Sequence, residues 1–148
     1  MITCLIRFIG GANGSVRLWD VRKQAPVTAF SEHTGAVNAL SFSENGYSMA
    51  SGSNDGTVRV WDLRRLDNPL NKLVQVGQGA PVLSVTYDRS GSYLAFASDA
   101  IYVAAVKPWS EFVTLSDHSA AVTSIKFGPD ASFIASASMD RSLKVFSA

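Results

Sequence analysis

The chain has little of what marks secreted, membrane-spanning or strongly nucleic-acid-binding proteins. Its single cysteine, Cys4, cannot form an internal disulfide, so a reducing compartment is expected. Thirteen basic residues face twelve acidic ones, and this net charge of +1 lacks the basic excess typical of nucleic-acid binders. The apolar start MITCLIRFIG is interrupted by Arg7, lacks a small-residue cleavage site and is too short to span a bilayer. We therefore expect a soluble intracellular protein.

Helical patterning is missing as well, whereas strand patterning is frequent. No segment carries an apolar stripe at the 3.6-residue helical spacing. Short stretches such as AVNALSF (36–42) and TVRVWD (57–62) instead alternate apolar and polar residues. Turn signals separate the strands: SENG, NDG, DRSG and GPD. With 47% hydrophobic residues the chain can bury a core, and we predict a single all-β domain.

One ten-residue phrase recurs along the chain. GANGSVRLWD (11–20) returns as SNDGTVRVWD (53–62) and again, altered, as SMDRSLKVFS (138–147). The spacing from His33 to His118 is 85 residues, equal to that from Asp55 to Asp140, or two periods of about 42. Two independent landmarks therefore keep one register, which indicates a structural repeat.

Short strands in a period of about forty residues that ends in Trp-Asp are typical of a β-propeller blade. On these residues the chain resembles the WD-repeat family over its whole length. The family's His, Ser, Asp and Trp pattern corresponds to two sets of positions here: His33, Ser51, Asp55 and Trp61, then His118, Ser136, Asp140 and Phe146. Phe146 replaces the tryptophan. The first unit keeps Trp19 with Asn13 in the aspartate position, and the third keeps only Asp99, with no histidine near Gln78 and Ala104 near the tryptophan position.

Each such set is interpreted as a structural tetrad. A buried aspartate needs hydrogen-bond partners, because an unpaired buried charge is costly. A histidine, a serine hydroxyl and an indole N–H could satisfy it together, each bond to the charged group contributing roughly 1.5–3 kcal/mol. Phe146 cannot donate, so the last unit should have one bond fewer, and the third unit should depend on its apolar strands.

The resemblance implies a partial WD40 β-propeller of about 3.5 four-stranded blades, an open arc of a seven-bladed ring. The expected blades are 1–31 (strands b–d), 32–77, a degenerate 78–116, and 117–148 (strands a–c). This division predicts fourteen strands and a chain that is the C-terminal part of a longer propeller. Unpaired strand edges would then invite association or aggregation.

A narrower resemblance begins at residue 90. The eroded third unit, the segment around Trp109 and the ending MDRSLKVFSA are similar to the pre-mRNA-processing factor 19 family. That resemblance implies a nuclear, spliceosome-associated ubiquitin ligase with a U-box and an oligomerising coiled coil. The present chain would be part of its substrate- or partner-binding propeller, without the catalytic U-box and without a cofactor. The alternative is a WD-repeat adaptor of another complex.

Catalytic and metal-binding interpretations are weaker. Ser51, His33 and Asp55 could form a hydrolytic triad, but the same trio recurs in the last unit, and a duplicated scaffold is the simpler explanation. No Cys-x-x-Cys or His-x-x-His spacing indicates zinc. GGANGS (10–15) lacks the Gly-Lys-Ser/Thr ending of a phosphate loop.

Two surfaces are candidates for partner binding. Loops around the histidines form the first, where we expect protein partners: Thr34, Asn54, Ser119, Met139 and Arg141. Basic residues after the third strand of successive units form the second: Arg22, Lys23, Arg64, Arg65 and Lys107. This basic strip is either an RNA-contact surface or a solvated face, and its interspersed aspartates and few aromatics favour the latter.

Overall fold

The computed structural model describes residues 6–65, 67, 70–76, 79–107, 109 and 112–147. Within them the chain forms four antiparallel sheets of consecutive strands. Sheet 1 contains β1 (Ile6–Gly10), β2 (Val16–Asp20) and β3 (Ala25–Phe30). Sheet 2 contains β4 (Val37–Phe42), β5 (Ser48–Ser53), β6 (Thr57–Asp62) and β7 (Leu70–Gln75). Sheet 3 contains β8 (Ser84–Tyr87), β9 (Tyr93–Ala97), β10 (Ile101–Ala105) and β11 (Phe112–Leu115). Sheet 4 contains β12 (Val122–Phe127), β13 (Phe133–Ser138) and β14 (Leu143–Ser147).

The predicted all-β class and partial propeller are confirmed. The sheets hold three, four, four and three strands, fourteen in the described part of the chain. A 3-10 turn at Pro129–Ala131 is the one helical element among these residues. Each sheet lies within one of the four predicted segments, but the blade boundaries themselves stay a prediction. Cys4 and Gln78 lie outside the described residues.

Hydrophobic clusters between consecutive sheets form the core. Val16 and Phe30 of sheet 1 meet Met49 and Trp61 of sheet 2. A larger cluster joins sheets 2 and 3, and a third joins sheets 3 and 4. The sheets therefore stack in chain order, each covered by the next, as in adjacent propeller blades.

The first strands of sheets 2, 3 and 4 are also linked by polar contacts. The backbone N–H of Tyr87 donates to Ser41 Oγ at 3.0 Å, and that of Ile125 donates to Ser84 Oγ at 3.3 Å. Close approach makes space scarce here, since a Cβ added at Gly52 would lie 2.5 Å from Val82 Cγ1. These contacts hold β4, β8 and β12 side by side, and the loops that contain His33 and His118 lead into β4 and β12.

Candidate functional site

In sheet 2 the fold brings together the four side chains of the first predicted tetrad. His33 precedes β4, Ser51 lies in β5, Asp55 in the β5–β6 turn and Trp61 in β6. His33 Nδ1 is 2.9 Å from Asp55 Oδ2, and His33 Nε2 is 2.7 Å from Ser51 Oγ. The Trp61 indole Nε1–H donates to Ser51 Oγ at 2.8 Å. The network thus runs from the β5–β6 turn at one end of the sheet to the buried Trp61 near the far end of β6.

One arrangement of protons satisfies all four groups. An ionised Asp55 can only accept, so the hydrogen of the His33 ring lies on Nδ1. His33 Nε2 is then an acceptor for the Ser51 hydroxyl, whose oxygen accepts the Trp61 N–H. The relay runs from indole to carboxylate without an unmatched donor, as a buried polar network requires.

Asp55 has further donors that sequence reasoning missed. Its carboxylate accepts from the Thr34 N–H at 3.0 Å, the Thr57 N–H at 3.0 Å and the Thr57 hydroxyl at 2.6 Å. The repeat spacing could have revealed the Thr57 hydroxyl as a partner of Asp55. Ser142 lies 85 residues after Thr57, and its hydroxyl donates to Asp140 at the same distance of 2.6 Å.

Electrostatics favour an ionised Asp55 beside a neutral His33. Burial alone would raise the pKa of Asp55, but hydrogen bonds from Thr57, His33 and the Thr34 N–H outweigh it and lower that pKa to about 2. Burial outweighs the hydrogen bond to Asp55 and lowers the pKa of His33 from 6.5.

We therefore expect acidification to lower the free energy of unfolding in two stages. The unfolded chain takes up the His33 proton first, so stability declines as the pH falls below 6.5. A second decline follows between pH 3.8 and about 2, as Asp55 is protonated. Urea denaturation from pH 8 to pH 2 measures both stages.

In the variant His33→Gln, the free energy of unfolding should lose the part of the first decline that His33 causes. Between pH 8 and pH 7 its dependence on pH should equal that of the unaltered chain. If the free energy of unfolding instead increases as the pH is lowered from 7 to 5.5, His33 is not neutral in the folded chain. If the variant does not fold, the ring-proton NMR titration of His33 in the unaltered chain gives the same test.

Sheet 4 repeats the arrangement with one donor fewer. His118 Nδ1 lies 2.8 Å from Asp140 Oδ2, and Nε2 lies 2.7 Å from Ser136 Oγ. Phe146 meets the His118 ring edge-on, with centroids 6.4 Å apart, but offers no N–H. Ser136 Oγ instead lies 3.4 Å from the Lys144 carbonyl, at the outer limit of a hydrogen bond.

Comparison with known proteins decides the family. The WD domain, G-beta repeat model matches residues 24–62 and 109–147. The chain belongs to the WD-repeat family. Each matched WD repeat begins with the last strand of one sheet and ends with the third strand of the next, so the sequence repeat is offset by one strand from the sheets.

The predicted similarity to pre-mRNA-processing factor 19 is also confirmed. The WD-repeat chain is 46% identical to pre-mRNA-processing factor 19 homolog 2 of Arabidopsis thaliana over 96% of its length, and 38% identical to pre-mRNA-processing factor 19 of Homo sapiens over 97%. It spans only 27% and 28% of those two proteins. The crystal structure of the mitotic checkpoint complex contains a chain that superposes with a TM-score of 0.87 at 23% identity, covering 96% of this chain and 44% of that one, which shows the fold alone.

The other two WD units lack this network in the described residues. In the first, Asn13 Oδ1 accepts from the Ser15 hydroxyl at 2.7 Å. In the third, the exposed Asp99 accepts from the Ala100 N–H at 3.1 Å and the Tyr102 hydroxyl at 3.0 Å. Aspartate at the turn is thus not sufficient; the histidine and serine around it create the buried site.

The predicted partner-binding loops lie around the two networks, at the same ends of sheets 2 and 4. All five of their residues are exposed: Thr34, Asn54, Ser119, Met139 and Arg141. The Thr34 and Ser119 N–H groups donate to Asp55 and Asp140. The networks therefore hold the backbone of the exposed loops in place.

The basic strip divides into separate places. Arg22 and Lys23 lie in the turn after β2, where their N–H groups donate to Asp20. Arg64 donates from Nε and Nη2 to Asp62 at 2.9 and 2.7 Å. Its guanidinium also lies 5.4 Å from the Tyr47 ring centroid. Arg65 follows Arg64, and Lys107 lines the same cavity as Arg64.

Within the described residues there is no cluster of three or more His, Cys, Asp or Glu side chains placed to hold a metal ion. None of the helical structure found there has the length and apolar character needed to cross a bilayer.

Proposed function

We propose that this WD-repeat chain is a non-catalytic protein-interaction scaffold, part of the substrate- or partner-binding propeller of a nuclear, splicing-associated ubiquitin ligase. The observation that carries the proposal is 46% identity, over 96% of the chain, to a pre-mRNA-processing factor 19 homolog. Its partners are then spliceosomal or ubiquitination-complex proteins. The ligase role belongs to the longer protein, because this chain spans only 27% and 28% of the length of the two relatives.

Burial supports the non-catalytic role. The Ser51–His33–Asp55 distances match those of a hydrolytic triad, yet Ser51 is fully buried. Its oxygen also accepts the Trp61 N–H, so the indole occupies one side of the hydroxyl. A nucleophile needs a route by which the substrate can approach, and a fully buried hydroxyl offers none. Ser136 is only 3% exposed, so the second trio has the same obstruction.

The loops around the networks are the surface proposed to meet the partner. Met139 is 66% exposed, and its flexible apolar side chain is available to pack against a partner. The neighbouring Arg141 is exposed and lies in the β13–β14 turn with a positive φ of 65°. Exposed methionine and arginine are both enriched where proteins bind one another.

A paired-variant experiment tests the proposal. The tagged full-length protein is immunoprecipitated from cells, and its co-purifying proteins are quantified by mass spectrometry. We expect pre-mRNA-splicing proteins to be recovered, and the double variant Met139→Glu, Arg141→Glu to lose them at least about tenfold, the loss of a small hot spot. Val21→Glu with Arg22→Glu, an equivalent change in the turn after β2, is the control and should leave recovery unchanged.

Equal recovery with both double variants would overturn the loop assignment. Recovery of a different set of proteins, without splicing components, would favour the adaptor of another complex. Thermal unfolding of each purified variant checks that lost recovery does not follow from unfolding.

A further inference from the structure

A cavity of about 540 Å³ lies between sheets 2 and 3, at the end of the strands opposite the histidine networks. Its walls come from the β4–β5 turn, the segment after β6, the β8–β9 turn and the segment after β10. The volume is that of a typical small-ligand or side-chain pocket. Nothing in the proposed scaffold role uses this place.

Most of the residues that line the cavity are polar, and a smaller apolar part lies among them. Val60, Val106 and Trp109 supply the apolar part, and the cationic side chains of Arg64 and Lys107 line the rim. Lysine and arginine side chains donate and cannot accept. Such a lining matches an anionic group carried on an apolar segment.

The charges in the cavity are not balanced within the described part of the chain. Asp62 is occupied by Arg64, which binds it through Nε and Nη2 and leaves Nη1 for another acceptor. Lys107 is exposed and forms no ion pair with any described residue. One positive charge is therefore in excess at the mouth of the cavity.

A buried phenol adds a second, independent observation. Tyr87 lines the cavity and is 7% exposed, and its hydroxyl finds no hydrogen-bond partner among the described residues. Burying an unpaired hydroxyl costs free energy, and such groups in native proteins usually find an external partner. The hydroxyl oxygen itself is closed off from solvent, so a bound acceptor reaches it only when the cavity wall shifts to admit one.

We propose that this cavity binds an anionic side chain of a partner peptide, whose carboxylate or phosphate is held by Lys107, Arg64 and Tyr87. The neighbouring peptide residues pack on the partly exposed Val106 and Trp109. A peptide fits better than RNA. The Tyr47 ring face is already covered by the Arg64 guanidinium, so it is not free to stack on a base. The site lies on the face opposite the proposed partner-binding loops, so its failure would leave that proposal untouched.

Indole NMR of the full chain tests the inference, since its three tryptophans give separate N–H signals. Trp109 lines the cavity, whereas Trp61 is fully buried in the sheet 1–sheet 2 cluster and serves as an internal reference. The probes are the capped peptide Gly-Leu-Glu-Leu-Gly, its glutamine and phosphoserine counterparts, and a ten-residue oligouridylate. We expect a saturable shift of the Trp109 signal with the glutamate peptide and at least about tenfold weaker binding of the glutamine peptide.

Three variants sharpen the outcome. Lys107→Glu should weaken binding at least about tenfold, while Arg17→Glu, the same kind of charge reversal at an exposed position of β2, should leave it unchanged. Tyr87→Phe should weaken binding about fivefold yet leave the urea midpoint equal or higher, because it removes an unpaired buried hydroxyl. A purely structural Tyr87 would lower the midpoint without changing affinity, and that result overturns its role.

The remaining outcomes decide the ligand. Tighter binding of the phosphoserine peptide supports the site and assigns a phosphorylated partner; equal or weaker binding supports a carboxylate. A Trp109 signal that no peptide moves at millimolar concentration overturns the proposal. The proposal is also overturned if the Trp109 signal shifts only with oligouridylate and this shift disappears in Lys107→Glu, since the cavity would then be an RNA site.

Discussion

Replacing Asp55 with alanine should lower the free energy of unfolding by about 3 kcal/mol, the cost of leaving several buried donors unpaired. The side chain of Asp55 is 7% exposed and accepts from His33, from the Thr34 and Thr57 N–H groups and from the Thr57 hydroxyl. Water has little access to the donors of the buried His33 and Thr57. The exposed Thr34 N–H can turn to water, and His33 Nδ1 keeps a longer contact of 3.2 Å with Thr57 Oγ1. Urea denaturation at pH 7 gives the measurement.

Asp99→Ala is the matched control, because Asp99 occupies the same turn of the third WD unit. That carboxylate is exposed and accepts two hydrogen bonds, which water can replace. Its loss should cost at most about 1 kcal/mol. Equal shifts of the denaturant midpoint in the two variants would show that the network around Asp55 contributes nothing beyond the turn itself.

The same comparison explains why the tetrads could be predicted from the sequence. Their members are chemically distinctive, and the 85-residue spacing places His33 and His118 in one register. A period of this kind reports directly on the fold, because equivalent positions of successive blades have equivalent surroundings. Strand number and order followed from the same register, so the all-β architecture was accessible without coordinates.

Thr57 and Ser142 escaped prediction for a physical reason. A hydroxyl side chain beside a turn is common on solvent-exposed strands, so its residue type alone does not indicate a buried role. Only the geometry of the turn shows both hydroxyls 2.6 Å from an aspartate oxygen. The register would have identified the pair had every polar position been compared across the period.

The cavity between sheets 2 and 3 could not be predicted at all. Its walls come from four segments whose mutual distances depend on how one sheet packs on another. The sequence predicts a single strip for the basic residues of this face, whereas in the structure Arg64 is paired with Asp62 and, of the other four, Lys107 lines the same cavity. Sequence register places residues along a blade, whereas the gap between blades is set by side-chain packing.

Replacing Trp61 with alanine should cost still more, about 4 kcal/mol, because packing is lost together with a hydrogen bond. The indole is fully buried and stacks on Phe30 with centroids 5.1 Å apart and an interplanar angle of 14°. It also packs with Val16 and Met49 between sheets 1 and 2. Removing the indole leaves a large cavity between sheets 1 and 2. The strands on both sides would have to move to close that cavity.

Trp61→Phe separates the two contributions, and sheet 4 already carries phenylalanine at the corresponding Phe146. The ring keeps most of the packing but no longer donates to Ser51, so we expect a loss of about 1 to 2 kcal/mol. Thermal and urea unfolding of both variants measure the difference. Nearly equal losses would mean that the hydrogen bond dominates, and the sheet 1–sheet 2 interface would then depend on the polar network more than on the apolar contacts that surround it.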